Sequence, residues 1–224
     1  MTVYARLVER HGLAPSHELL LAAVPGGARV LDVGCAEGYL ARELRRRGCA
    51  VVGLEGDPAA AAAAREWCDE VVAGDVEDPA VRARVAGPFD RVLLGDVLEH
   101  LRDPAAVLRW SRGLLAPGGR AVVSLPNVAH WTARRQLVRG RFPREDHGLF
   151  DRTHLHFFTR ATARALVEEA GLAVVAEAFA PAPLPLESRV PPLGRVRPAL
   201  VRRWPELLAL QVVLTCAPAA QASG

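Results

Sequence analysis

Nine residues, Val30-Leu31-Asp32-Val33-Gly34-Cys35-Ala36-Glu37-Gly38, constrain this chain more than any others. A short apolar run breaks into a glycine-bearing turn, which reads as a buried strand ending in a loop tight enough for backbone to touch a ligand. Glycine suits such a loop because it tolerates positive φ and has no Cβ to hold the ligand away. The spacing narrows the ligand. A dinucleotide turn has the form G-x-G-x-x-G, its last glycine packing the helix against the strand beneath a pyrophosphate. Here the order is Gly34-x-Ala36-x-Gly38, and Tyr39 stands where the third dinucleotide glycine would be. A ligand without a pyrophosphate is expected.

Acidic residues recur where further strands would end. Ala50 to Leu54 is a second apolar run, closed by Glu55 and Gly56. Glu70 to Gly74 is a third, closed by Asp75 and Val76, and Val92-Leu93-Leu94-Gly95 ends on Asp96. A carboxylate at the tip of the second strand, about 20 residues past the turn, can accept hydrogen bonds from both hydroxyls of a ribose. In this order the pieces resemble the class I S-adenosylmethionine-dependent methyltransferases, over roughly residues 28–178.

The resemblance implies S-adenosylmethionine as cofactor and assigns its contacts. Asp32 would order the methionine end, and Gly34, Cys35, Ala36 and Gly38 would form the loop. Glu55 with Gly56 would take the ribose, Asp75 the adenine amino group and Val76 the ring, with Gly95 and Asp96 completing the site. Ala36 departs from the commonest family pattern, which has glycine there.

Short Val/Leu runs alternating with helical patterns are the signature of βαβ units and a parallel sheet. Strands are expected near 28–34, 50–55, 70–74, 89–95 and 119–125, with two more over 172–178 and 207–216. Pro117-Gly118-Gly119 reads as a turn leading into the fifth strand. Helices are expected at 39–47, 58–67, 79–85, 104–115 and 159–171. Pro58, Pro79 and Pro104 each sit at a helix start, where a missing N–H costs nothing. Thr159 is the expected N-cap, and Gly171 the terminator, of the last. The resembling fold is α/β: a Rossmann-like, seven-stranded, mostly parallel sheet with helices on both faces. Its antiparallel last strand is inserted between the fifth and sixth. One domain over 1–224 is expected.

Three segments stand outside this pattern. Residues 1–25 are expected as one or two helices covering the cofactor mouth. Residues 127–158 follow the fifth strand, and ligands of open α/β sheets bind outside the carboxyl ends of strands; this is the expected acceptor segment. Residues 181–205 carry seven prolines and five arginines and would form a substrate lid, a partner surface or a stiff connection.

Composition excludes some classes. A formal charge of +3 is too small to argue for nucleic acid or an anionic membrane as partner. Every basic residue other than histidine is arginine, so Schiff-base chemistry on lysine is not available. Cys35, Cys49, Cys68 and Cys216 are scattered, without a zinc-knuckle or disulfide spacing. No signal peptide is visible, and the longest apolar stretch, 207–220, is too short to span a bilayer and is interrupted by Gln211. A cytoplasmic protein is expected, as a monomer or homodimer.

The chemistry-bearing residues cluster in two places. Asp96, Glu99 and His100 fall at i, i+3 and i+4, so on a helix they share a face and are candidate ligands for a divalent ion. Four of the seven histidines lie in 127–158. That segment holds Pro-Asn-x-x-His-Trp and Asp-Arg-Thr-His-x-x-Phe-Phe-Thr pieces. They resemble a methyltransferase subgroup found with bacterial polysaccharide and natural-product biosynthesis, and MetW-like proteins. A sulfonium methyl is already activated, so an enzyme must align the nucleophile in line with it. A hydroxyl acceptor also needs a base matched to neutral pH. His154 and His147 are the candidate bases, with Asp151 as orienter; Trp131 and Phe150 would wall the acceptor. The expected activity is O-methylation of a sugar-like or natural-product small molecule. The alternatives are N- or C-methylation, or a non-catalytic partner module.

Overall fold

The computed structural model describes residues 10, 12–182 and 192–219, and in it every apolar run joins one sheet. The strands are β1 (Arg29–Val33), β2 (Ala50–Glu55), β3 (Glu70–Ala73), β4 (Phe89–Gly95), β5 (Leu115–Pro126), β6 (Leu172–Pro181) and β7 (Ala209–Pro218). Their spatial order is β3-β2-β1-β4-β5-β7-β6. Neighbours are parallel from β3 through β5, whereas β7 runs antiparallel to both β5 and β6. The chain steps outward from β1 to β3 and then returns to β4 on β1's other side. The crevice at that switch point, outside the strands' carboxyl ends, is where such sheets bind ligands.

The described helices are α1 (Pro15–Ala22), α2 (Tyr39–Arg46), α3 (Pro58–Ala64), α4 (Pro79–Arg82), α5 (Pro104–Gly113), α6 (Trp131–Val138), α7 (Arg160–Glu169), α8 (Pro192–Arg203) and α9 (Pro205–Leu208). They start where the sequence tells them to. Asp57, Asp78 and Asp103 each precede a proline and accept a backbone N–H two or three residues on, at 2.8–2.9 Å. The carboxylate satisfies one orphan donor of the first turn, and proline removes another.

Strand side chains alternate between faces. Leu31, Val33, Leu54, Leu94 and Val123 pack with residues of α4, α5 and α7. Val30, Val51, Leu93, Val122 and Val213 pack with Leu20 and Leu21 of α1 and Leu40 and Leu44 of α2. Asp32 shares the parity of Val30 and is buried on that second side.

Three departures from the sequence reading have physical causes. β5 begins at Leu115, not 119, because Leu115 pairs with Phe89 before the register shifts. The Pro-Gly-Gly turn is absorbed into the strand, and Gly119 lies so close that a Cβ there would be 2.8 Å from the Phe89 carbonyl. Residues 192–203 form a helix although Pro198 lies inside it. Proline is a local breaker, but burial of Val201 beside β6 outweighs it. Residues 183–191 of the same insert, and 1–9 and 11 of the N-terminal segment, lie outside the described residues. Finally, α1 lies on a sheet face, and only its beginning reaches the crevice.

Asn127, just past β5, ties the late segment to the sheet. Its buried Nδ2 donates to the Ala209 carbonyl at 2.9 Å and the Glu206 carbonyl at 3.1 Å, and its Oδ1 accepts from the Ala129 N–H at 3.1 Å. Asn127→Ala strands those carbonyls, each an unmade buried bond costing about 1–3 kcal/mol. Urea denaturation is expected to show a loss of about 2–4 kcal/mol with an unchanged m-value. A loss below experimental error would mean the bonds are replaced by water. Among the described residues, no helix is long and apolar enough to cross a membrane.

Candidate active site

The loop after β1 turns back on itself through three left-handed residues: Gly34 at φ 70°, Ala36 at φ 48° and Gly38 at φ 81°. A Cβ on Gly34 would lie 2.5 Å from Val97 Cγ2, so that position admits glycine alone. Ala36 carries a Cβ in a conformation that costs an L-residue roughly 1–2 kcal/mol. Its N–H donates to Glu55 Oε2 at 2.8 Å, and Glu55 Oε1 accepts from Asp57 N at 2.8 Å. Glu55 at the tip of β2 therefore clamps the glycine loop while remaining half-exposed. Gly56 follows in more open space, where a Cβ would meet nothing nearer than the Gly74 carbonyl at 3.9 Å. Cys35 is buried against Cys68, whose hydrogen bond, together with burial, holds the Cys35 thiol protonated. It is a packing residue.

Further round the rim, Asp75 is exposed and accepts the Glu77 N–H at 2.8 Å, and Val76 beside it is buried. A Cβ on Gly95 would meet Leu20 of α1 at 2.8 Å. Asp96 takes a left-handed φ of 55° and turns its carboxylate back toward the sheet. Its Oδ1 accepts the Ser124 hydroxyl at 2.6 Å and its Oδ2 the Gln211 amide at 2.8 Å. The strand-end positions named from the sequence thus lie along one rim, from the β1 loop to β4.

Asp32 is buried, and its Oδ2 has no hydrogen-bond partner among the described residues. Burial, with the Glu55 charge behind it, pushes its pKa up to about 7. An unpaired buried carboxylate calls for a cationic or donor group, which is what an amino acid's ammonium offers. The donor and acceptor set of the rim therefore fits S-adenosylmethionine. The raised value also has a thermodynamic consequence. The folded chain retains a proton that the unfolded chain releases near its ordinary 3.8. Ligand-free stability should fall as pH rises between about 4 and 7, by up to roughly 4 kcal/mol from this group. Asp32→Asn is expected to flatten that part of the pH–stability curve. A curve identical to wild type would place the burden elsewhere, with Glu99 the next candidate.

A cavity of about 420 Å³ opens beside Asp96. The N-terminal segment supplies Leu13, Ser16 and His17; the strand ends supply Pro126, Leu210 and Gln211; the loop after α6 supplies His147, Leu149 and His154. Its floor is Glu99, which is buried with neither carboxylate oxygen hydrogen-bonded among the described residues. Burial, then the charge of Asp96, raises the Glu99 pKa well above the usual carboxylate range. His154, also buried, places Nε2 4.0 Å from Glu99 Oε1. Burial, then the neighbouring His100, lowers the pKa of His154, so its imidazole is neutral and able to accept a proton at pH 7. The segment is pinned there by its backbone: Leu155 N and His156 N both donate to the Glu99 carbonyl, at 2.8 and 3.1 Å.

The other candidates separate. His147 is exposed at the mouth of the cavity. Asp151 is buried and accepts the Thr153 N–H and hydroxyl at 2.8 and 2.6 Å, with its charge acting on His154. Trp131 and Phe150 do not wall the cavity. Phe150 is buried and meets Phe142 edge-on at 5.0 Å, holding the loop together.

The expected trio of Asp96, Glu99 and His100 does not share a helical face. The chain makes only a single 3₁₀ turn there, Leu98–His100, with Asp96 outside it. The set that could hold a metal is instead Glu99, His100 and His154, whose ligand atoms lie within 4.8 Å of one another. Ser16, His17 and Gln211 were not anticipated. Gln211 did leave a signal, as the polar interruption of an apolar strand; Ser16 and His17 left none.

A switch-point crevice with a glycine loop, an acidic second-strand tip and an adjoining acceptor-sized cavity defines a nucleoside-binding α/β transferase site. The chain belongs to the class I S-adenosylmethionine-dependent methyltransferases: residues 4–177 match the family described as a methyltransferase domain. A curated relative is the ubiquinone biosynthesis O-methyltransferase of Xanthomonas axonopodis pv. citri (strain 306). It is 40% identical over 109 residues, which cover 46% of this chain and 45% of the relative. The chain thus spans about half the length of the curated relatives it matches. Among solved structures, a methyltransferase of Thermotoga maritima superposes with a TM-score of 0.65 at 19% identity, covering 96% of this chain and 94% of its own. One from Mesorhizobium loti gives 0.62 at 20% identity, covering 91% and 97%. At that identity the superpositions speak for the fold.

Proposed function

We propose that the protein methylates a hydroxyl of a small-molecule acceptor bound in the cavity above Glu99. The observation that carries this reading is the buried His154 on the cavity wall, its Nε2 4.0 Å from Glu99 Oε1. A hydroxyl must lose its proton as its oxygen is alkylated, whereas an amine needs no such base. The O-methyltransferase name of the curated relative points the same way. The largely apolar lining, with a few polar groups, suits an aromatic or natural-product acceptor, or one face of a sugar.

In this reading Glu55 holds the ribose hydroxyls and the β1 loop in one arrangement. Asp75 and Val76 receive the adenine, and Asp32 with the 34–38 loop the amino-acid end. S-adenosylmethionine, when bound, supplies an electrophilic methyl group. His154 Nε2 takes the acceptor proton; Glu99 lies beside that nitrogen, and the Asp151 charge favours the imidazolium that forms. Asp96 is held by Ser124 and Gln211 at the boundary between cofactor rim and cavity. Helix α1 and the loop around His147 narrow the entrance and exclude water.

A second reading rests on the cluster of Glu99, His100 and His154: a divalent cation there would bind the acceptor oxygen directly and lower its pKa. One assay separates the two. Purified protein is incubated with methyl-labelled S-adenosylmethionine and panels of phenols, sugars and amines, before and after EDTA. Labelled methyl ether formed equally with EDTA supports the histidine base. Loss of turnover on chelation, restored by magnesium or zinc, replaces it with the cation. Methylation of amines alone rejects both, and no turnover without an added partner protein promotes the non-catalytic module.

A further inference from the structure

We propose that Glu77 and Arg102 are positioning residues for the adenine end of the site, clasping the loop after β3 so that Asp75 tells a 6-amino purine from a 6-oxo one. The inference rests on the reading above in which Asp75 and Val76 receive the adenine. Asp75 by itself is an exposed side chain on a loop. Such a carboxylate loses rotamer freedom when it binds, and the loss weakens affinity and selectivity unless the group is held beforehand.

The hold comes from 25 residues further along the chain. Glu77 Oε1 accepts two backbone N–H groups, of Arg102 at 3.0 Å and Asp103 at 2.9 Å, and its Oε2 accepts Arg102 Nε at 3.2 Å. The same guanidinium turns a second nitrogen toward Asp75, 3.8 Å from Oδ2. Asp75 Oδ1 accepts the Glu77 N–H at 2.8 Å, and the Asp75 carbonyl accepts the Asp78 N–H at 3.0 Å. A donor therefore faces each carboxylate oxygen of Asp75 while the side chain stays open to solvent. The Glu77 side chain, by contrast, is only 15% exposed. Burial works to raise its pKa, but the Asp103 and Arg102 N–H groups and the guanidinium hold it below the ordinary carboxylate value. These are bonds to a charged acceptor, roughly twice as strong as neutral ones.

The place of the clasp sets its purpose. Residues 101–103 join the 3₁₀ turn at Leu98–His100 to α5, whose first turn Asp103 caps through the Ala106 N–H at 2.9 Å. Leu98 and Leu101 lie in the same apolar cluster as Val76. The loop after β3 is thus tied inward by Val76 and sideways by Glu77. An adenine 6-amino group donates to a carboxylate, whereas a 6-oxo group presents lone pairs and is opposed by it. That opposition lasts only while the carboxylate cannot swing and the loop cannot yield. The Arg102–Asp75 contact is long and exposed, and such pairs contribute little to folding. What the guanidinium changes is where the Asp75 carboxylate points.

The test is calorimetric titration of the full chain with S-adenosylhomocysteine and with its deaminated analogue, S-inosylhomocysteine; the readout is the ratio of the two affinities. Wild type should favour the adenosyl compound about a hundredfold, the equivalent of about two ordinary hydrogen bonds. Glu77→Ala should cut that ratio about tenfold. Arg102→Gln, at a side chain 76% exposed, should cut it about threefold, and it reads the clasp even where Glu77→Ala folds poorly. Glu77→Gln retains an acceptor for both backbone N–H groups and should match Arg102→Gln, rescuing most of the ratio. A purely structural clasp would weaken both ligands alike, so an unchanged ratio in either Glu77→Ala or Arg102→Gln would overturn the proposal. Asp75→Ala separates the clasp from the reading beneath it. Loss of the ratio there, with its retention in the clasp variants, defeats the clasp alone. A wild type without preference, or a ratio that Asp75→Ala retains, defeats the adenine assignment and the clasp with it.

Discussion

His154→Ala is expected to lower kcat for methyl transfer about a hundred- to ten-thousandfold, the usual contribution of a positioned general base. S-adenosylhomocysteine affinity should stay near wild type, because His154 lines the acceptor cavity and not the glycine loop. The pH profile carries a second signature. Burial and His100 lower the pKa of His154 below the histidine value of 6.5, so the base form persists into mildly acidic solution. The acid limb of kcat/KM in the wild type should therefore fall below that value, and in His154→Ala it should vanish. Asp151→Asn removes a charge that raises the His154 pKa, and should move the limb further to acid while leaving nucleoside affinity alone. If His154→Ala turned over at the wild-type rate, the imidazole would be a wall of the cavity, and exposed His147 would be the remaining candidate base.

Glu55→Ala is the second large effect. One carboxylate does three things in this reading: it accepts the Ala36 and Asp57 N–H groups and offers its remaining lone pairs to the ribose. Hydrogen bonds to a charged group contribute about 1.5–3 kcal/mol each. Losing two ribose bonds and the restraint on a strained Ala36 should weaken S-adenosylhomocysteine binding about a hundredfold or more. Calorimetric titration measures it directly. Glu55→Gln keeps one acceptor oxygen and should fall between the two. An unchanged affinity in Glu55→Ala would remove the nucleoside from this rim, while a folded wild type that binds none would remove the cofactor assignment altogether.

The site was legible to different depths. Glu55, Asp75 and Asp96 could be placed on the rim because each closes an apolar run, and Asp32 and the loop through Gly38 because such a run breaks there into a glycine turn; both signals are written in neighbouring residues. Their relative positions then follow from parallel strands sharing one rim. The acceptor side was less legible. Asp96, Glu99 and His100 looked like one helical face, but left-handed Asp96 breaks the turn, and its carboxylate goes to Ser124 and to Gln211, 115 residues on. Phe150 and Trp131 carried no local mark separating a loop's own core from a ligand wall.

The sequence by itself determined the strands, the helix starts and the glycine turn. Those depend on side-chain period, on Asp-Pro caps and on φ, all settled within a few residues. Only the tertiary structure decided that His154 would sit beside Glu99, that the Asp96 carboxylate would turn to Ser124 and Gln211, and that a proline-rich insert would become α8 against β6. These outcomes belong to residues far apart in the chain. Their juxtaposition is fixed by burial against the finished sheet, whose energy outweighs the weak local preferences of a loop.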